Sequence, residues 1–163
     1  MSLDRLWAGW RSAYIERVTT AEPDECLLCA LAAADDDEGL IVARAPLTFA
    51  ALNAYPYTSG HLMVAPLRHV GELEALRADE AGALMGMTQD ATAAMKAAYQ
   101  PDGVNVGANL GRAAGAGVPG HLHLHVLPRW VGDTNFMTSV AEARVLPEAL
   151  DRSLERVRAA WPT

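Results

Sequence analysis

The chain has 163 residues, 51% of them hydrophobic and 20% charged, with a formal net charge of −7. That length carries one domain with a real core. Without a basic run, the acidic chain lacks the clustered cations from which binding to DNA or RNA strands draws its affinity, so small phosphorylated ligands suit it better. No tract has the apolar length of a membrane span, and the first residues, MSLDRLWAGWRSAYIERV, lack the apolar core of a signal peptide, so no membrane partner and a cytoplasmic location are expected.

Residues 1–22 form an N-terminal arm in which Trp7, Trp10 and Tyr14 alternate with Arg5, Arg11 and Arg17. Three- and four-residue spacing fits a helix or extended arm packing its aromatics on the body. The alternative use is an aromatic that reaches an active site and stacks on a base. Cys26 and Cys29 follow as a C-x-x-C pair, the only cysteines. In a reducing compartment such a pair reads as redox-active or metal-binding. No thioredoxin-like pattern surrounds it, and a zinc site needs two further N or S ligands from elsewhere. The acidic stretch Asp35–Glu38 lacks the ligand spacing of a calcium loop and reads as a solvated linker.

Strands are expected at Leu40–Arg44 and Leu47–Leu52, bent apart at Ala45-Pro46. Asn53 to His61 is a turn that feeds a strand at His61–Ala65, and Asn53 can bond its own backbone there. The spacing of Leu84, Met87, Ala91, Met95 and Ala98 predicts a helix over 79–99, with Asp79 capping its start and Gln100-Pro101-Asp102-Gly103 ending it. Met85, Met87 and Met95 serve core or dimer packing. A strand at Val104–Asn109 then leads into a loop with glycines at 111, 115, 117 and 120, able to bring backbone N–H groups close to an anion.

The loop ends in a strand, HLHLHV. Alternation puts His121, His123 and His125 on one face and Leu122, Leu124 and Val126 on the other, towards a core. Three stacked imidazoles stabilise little, so the pattern points to chemistry or to metal. Neighbours on one strand face stand ~6.5 to 7 Å apart, too far for all three to converge on one ion. One can join a metal with distant ligands and leave the others free. Residues 147–160 predict a second amphipathic helix with Pro147 near its start.

The run His121 to Leu127 resembles the motif that names the histidine triad (HIT) superfamily of nucleotide hydrolases and transferases. The likeness extends to LNAYPYTSGHLMVAPLRHV at 52–70, similar to the family's nucleoside-binding segment, to NLGRAAGAGVPGH, similar to its phosphate loop, and to PRWVGDTNFM at 128–137, which resembles bacterial diadenosine tetraphosphate phosphorylases. Together these span most of 24–137, the expected HIT core, with 140–163 as a C-terminal extension. The implied fold is α+β: an antiparallel half-barrel sheet, the 79–99 helix packed on it, and two such sheets joined in a homodimer.

The resemblance also implies roles. His123 is the nucleophile that forms a nucleotidyl-histidine, His125 contacts phosphate or the leaving group, and His61 buttresses the triad. Asn53 holds the ribose hydroxyls, while Asn109 and the loop of Gly115, Gly117 and Gly120 bind phosphate. His69 and His121 join Cys26 and Cys29 around a structural zinc, with no organic cofactor. Val118-Pro119-Gly120 replace the hydroxyl and amide side chains of hydrolase members, which leans the expectation towards a phosphorylase acting on dinucleoside polyphosphates, with phosphate as acceptor. Hydrolysis of nucleoside phosphoramidates and nucleotide binding with little turnover are the alternatives. Arg112 and Arg129 rank low as added charge.

Overall fold

The computed structural model describes residues 26–133 and 148–162. The expected N-terminal arm, the end of PRWVGDTNFM and the first residue of the expected C-terminal helix lie outside them. Among the described residues no helix is long and apolar enough to cross a membrane.

Five strands form one open antiparallel sheet: β1 (Ile41–Arg44), β2 (Thr48–Leu52), β3 (Leu62–Pro66), β4 (Gly103–Gly107) and β5 (Leu124–Arg129), in the order β1-β2-β3-β5-β4. Every residue of β2 and β3 is buried, because both faces of these central strands are covered. Alternation sorts their side chains. Ala50, Leu52, Leu62 and Val64 meet Leu122 and Val126 on one face, where Leu84, Met87, Ala91, Ala94 and Met95 of the long helix Ala78–Tyr99 pack on them. Phe49, Ala51, Met63 and Ala65 point the other way, onto Leu28 of the short helix Leu27–Ala33. In β5 the odd-numbered residues share this second face, so His125 pairs across the sheet with Met63 and away from the long helix.

The long helix covers the expected residues but starts differently. Arg77, not Asp79, is the N-cap, and the Arg77 N–H donates to Glu80 Oε2 at 2.9 Å. Glu80 is 1% exposed and takes both prongs of Arg68, at 2.7 Å each. The Arg68 guanidinium, then the Arg77 N–H, hold its carboxyl down at about 2. At the far end Gln100 adopts φ +47 as the C-cap and Pro101 follows. Met87 and Met95 are core residues, whereas Met85 is 54% exposed.

The C-terminal helix runs Leu150–Ala159 and buries Ser153, Leu154 and Val157. Leu154 and Val157 join the main core, and the acidic stretch stays exposed, as expected, while adding two ion pairs at its surface. Asp37 accepts from Arg158 at 2.7 Å, Arg158 Nε donates to the Ile41 carbonyl, and Asp36 accepts from Arg44 at 2.7 Å.

Candidate active site

The histidine strand pairs in the sheet only from Leu124 onward. Before that, Leu122 N–H turns aside to the Val70 carbonyl at 2.7 Å, and the ring beside His121 is that of His69, edge to face at 5.3 Å between centroids. His121 is 1% exposed and donates from Nε2 to the Pro66 carbonyl at 2.9 Å. A carbonyl only accepts, so the proton sits on Nε2 and the Nδ1 lone pair faces the cysteines.

That lone pair is 3.3 Å from Cys26 Sγ and 3.5 Å from Cys29 Sγ, and His69 Nδ1 is 3.4 Å from Cys29 Sγ. All four ligand atoms lie within 4.8 Å of one another. A tetrahedron with metal–ligand legs of ~2.0 to 2.3 Å has edges of roughly 3.3 to 3.8 Å, so these contacts are the edges a zinc ion needs. Burial, then the hydrogen bond with Cys26, push the Cys29 thiol up, so the pair stays protonated until a cation draws the protons off. Four residues spread over almost a hundred positions meet here, the set that the resemblance implied.

His123 and His125 stay together, with ring centroids 4.9 Å apart and planes at 78°. His123 donates from Nδ1 to the His121 carbonyl at 2.8 Å, which leaves its Nε2 with a bare lone pair. The tautomer of His125 is set by a chain of two bonds. Tyr57 N–H donates to His61 Nδ1 at 3.2 Å, so neutral His61 carries its proton on Nε2. That proton goes to His125 Nδ1 at 2.9 Å, and His125 then carries its own on Nε2. Two adjacent rings therefore present opposite functions, an unprotonated nitrogen and an N–H donor. Burial, then the neighbouring His123, push His125 down to about 4, which keeps it neutral at pH 7. Gly107 pairs with His125 across β4 and puts no side chain beside it.

In the loop, Gly111 and Gly115 take φ +79 and +92 around the turn Arg112–Ala114, and Asn109 Nδ2 donates to Gly115 O at 3.5 Å. Gly120 does not take a left-handed φ. A Cβ on Gly120 would meet the His69 ring at an ordinary 3.7 Å. Val118 packs against the Leu28–Phe49 cluster, which gives it a core role.

The sequence of residues 36–131 matches the model of the HIT domain. The chain belongs to the HIT family. Its likeness to the AP-4-A phosphorylase of Mycobacterium tuberculosis is 42% identity over 165 residues, covering 98% of this chain and 85% of that one. Among solved structures, a zinc-bound histidine triad family protein from Mycobacterium smegmatis superimposes with a TM-score of 0.68 at 27% identity, over 83% of this chain and 92% of the other. A hypothetical histidine triad nucleotide-binding protein from Sulfolobus tokodaii gives 0.65 at 26% identity, over 81% and 91%. The open antiparallel sheet with its covering helices is thus the HIT fold, of the α+β class.

Asn53, an expected site residue, and Arg129, ranked low as added charge, have partners of their own. Asn53 Oδ1 accepts from Tyr55 N–H at 2.9 Å, the turn role, and Arg129 is tied to Asp133 and Asn105. Sequence reasoning passed over Tyr57, whose ring lies 4.7 Å from that of His61 and 6.0 Å from that of His125. Its place within the segment 52–70, similar to the family's nucleoside-binding segment, was the only signal. The His125 shift has a pH consequence. An unfolded histidine titrates near 6.5, so between that value and about 4 the unfolded chain binds more protons. Stability should therefore fall by about 3 kcal/mol as pH drops through that window, a loss that His125→Asn removes in urea titrations at several pH values.

Proposed function

We propose that this HIT protein transfers a nucleotidyl group from a dinucleoside polyphosphate such as diadenosine tetraphosphate to inorganic phosphate, through a nucleotidyl-histidine on His123. The observation that carries the reading is the pair of opposite tautomers. His123 Nε2 attacks the α-phosphorus, forming an N–P bond as the P–O bond to the leaving nucleotide breaks. His125 Nε2–H bonds the oxygen on which charge develops, or hands it a proton. Phosphate then attacks the same phosphorus, the N–P bond breaks, and a nucleoside diphosphate leaves beside the nucleoside triphosphate of the first step. Asn109 and the N–H groups of the Gly111–Gly120 loop supply donors to the phosphoryl oxygens, and Asn53 takes the ribose.

Similarity to an AP-4-A phosphorylase along almost the whole chain supports phosphate over water as acceptor. So does Val118-Pro119-Gly120, standing where hydrolase members place hydroxyl or amide side chains, with Val118 packed against the Leu28–Phe49 cluster. Cys26, Cys29, His69 and His121 would hold zinc as a closed structural centre, since four protein donors leave no open position for water. The reading also takes the protein as a cytoplasmic homodimer.

Diadenosine tetraphosphate incubated with phosphate should yield ADP and ATP, and without phosphate much slower release of AMP and ATP. The solution mass measured on the same sample should be that of a dimer. AMP formed at equal rates in both conditions contradicts the acceptor, and no nucleotide product in either removes the substrate class.

A further inference from the structure

Where the C-terminal helix meets the long helix there is a polar cluster that the chemistry above does not use. The Tyr99 hydroxyl donates to Glu148 Oε2 at 2.5 Å, and the Ser153 hydroxyl donates to the same oxygen at 2.9 Å. Arg156 holds the other carboxylate oxygen at 3.3 Å, with its guanidinium carbon 5.0 Å from the Tyr99 ring centroid. Burial, then the Glu148 hydrogen bond, push the phenol up to about 12, so it remains a donor across the working pH range.

What the cluster restrains is the phenol ring, and that ring lies on the site's nucleoside turn. A Cβ on Gly60 would stand 2.6 Å from Tyr99 Cε2, and Gly60 itself holds φ +78. No other residue type fits under the ring with that backbone. The next residue is His61, fully buried, whose Nε2 sets the tautomer of His125. Trp130, directly after the histidine strand, meets the same ring edge to face at 6.2 Å.

We propose that Tyr99 and Glu148 are positioning residues for the His61–His125 pair: the C-terminal helix clamps the phenol onto Gly60 and thereby fixes the turn that aims His61 at His125. The proposal rests on the reading of His125 as the group that serves the leaving nucleotide. An imidazole pair that must keep one hydrogen-bond direction needs its supporting turn held to a fraction of an ångström, and a neighbouring helix does this at a distance from the substrate.

The test uses the full-length, zinc-loaded protein and the variants Tyr99→Phe, Glu148→Ala and Glu148→Gln, with Arg152→Ala on the exposed side of the same helix as control. Steady-state kinetics on diadenosine tetraphosphate are paired with the ¹⁵N imidazole resonances of His61 and His125. Tyr99→Phe and Glu148→Ala are expected to lower kcat about tenfold with KM within about twofold, and to move both sets of resonances. Glu148→Gln, whose amide oxygen still accepts from the phenol, should recover most of the loss, and Arg152→Ala should match the wild type. Unmoved imidazole resonances in both damaging variants overturn the proposal whatever happens to kcat. If the wild-type protein turns over no dinucleoside polyphosphate, the substrate reading fails by itself, and the resonances alone decide the clamp.

Discussion

Replacing His123 with Asn is expected to lower turnover of diadenosine tetraphosphate about 10,000-fold or more, with the nucleotide Kd within about threefold of the wild type. The substitution separates the two nitrogens of the ring. Asn keeps an N–H close to where His123 Nδ1 donates to the His121 carbonyl, so the backbone bond has a replacement. Nothing in Asn replaces the Nε2 lone pair, and without it no N–P bond forms. A loss of that size corresponds to about 5 kcal/mol of transition-state stabilisation, more than a single hydrogen bond supplies. The same change at His125 should cost less, about 100- to 1,000-fold, because there it removes a donor and not the bond-forming atom. Stopped turnover with unchanged Kd in the His123 variant, measured by product release and by titration with a non-hydrolysable analogue, is the expected pair of results. Wild-type turnover removes His123 as nucleophile.

Chelating the zinc proposed for Cys26, Cys29, His69 and His121 is expected to destabilise the fold and, through it, to slow the chemistry. Cys26 and Cys29 flank the start of the first helix, His69 follows β3, and His121 opens the histidine strand, so an ion held by all four closes long loops. An ion present at about a thousand times its Kd stabilises the native state by about 4 kcal/mol, on the order of 10 °C in Tm for a chain of this size. The His121 carbonyl also takes the proton of His123 Nδ1, so a chain loosened at the metal loses the aim of the nucleophile. Removal of zinc should therefore lower Tm and turnover together, and readdition should restore both; Cys29→Ser should reproduce the chelated state. Lost turnover with Tm and circular dichroism unchanged would instead point to a metal that takes part in the reaction.

Much of this was legible in the chain because local and global preferences agree. The β2 and β3 runs and the apolar spacing of the long helix each read correctly from a window of a few residues. The histidine row was legible because a period of two on a strand fixes which side chains share a face, and His123 and His125 do. Features set by distant partners were not. Glu80 at the third helical position reaches back to the Arg77 N–H as a capping box and also takes Arg68 from twelve residues away; with Arg in place of the usual Ser, Thr, Asp or Asn at the cap, Asp79 looked the better candidate. Asp36 and Asp37 are solvated charges as read, but their partners Arg44 and Arg158 come from other elements and left no trace in the local sequence. His121 lies ahead of the paired part of the strand, with its ring between the Pro66 carbonyl and the two cysteines, partners far away in sequence. Tyr99 looked like the last residue of a helix, and only the packing shows its ring lying on Gly60.

The central claim is that His123 Nε2 becomes covalently attached to the substrate's α-phosphorus. Mixing the enzyme with diadenosine tetraphosphate in the absence of phosphate, quenching at alkaline pH and mapping the peptides by mass should find one nucleotidyl group on His123. Turnover with His123 unmodified, or the group on another residue, would contradict it.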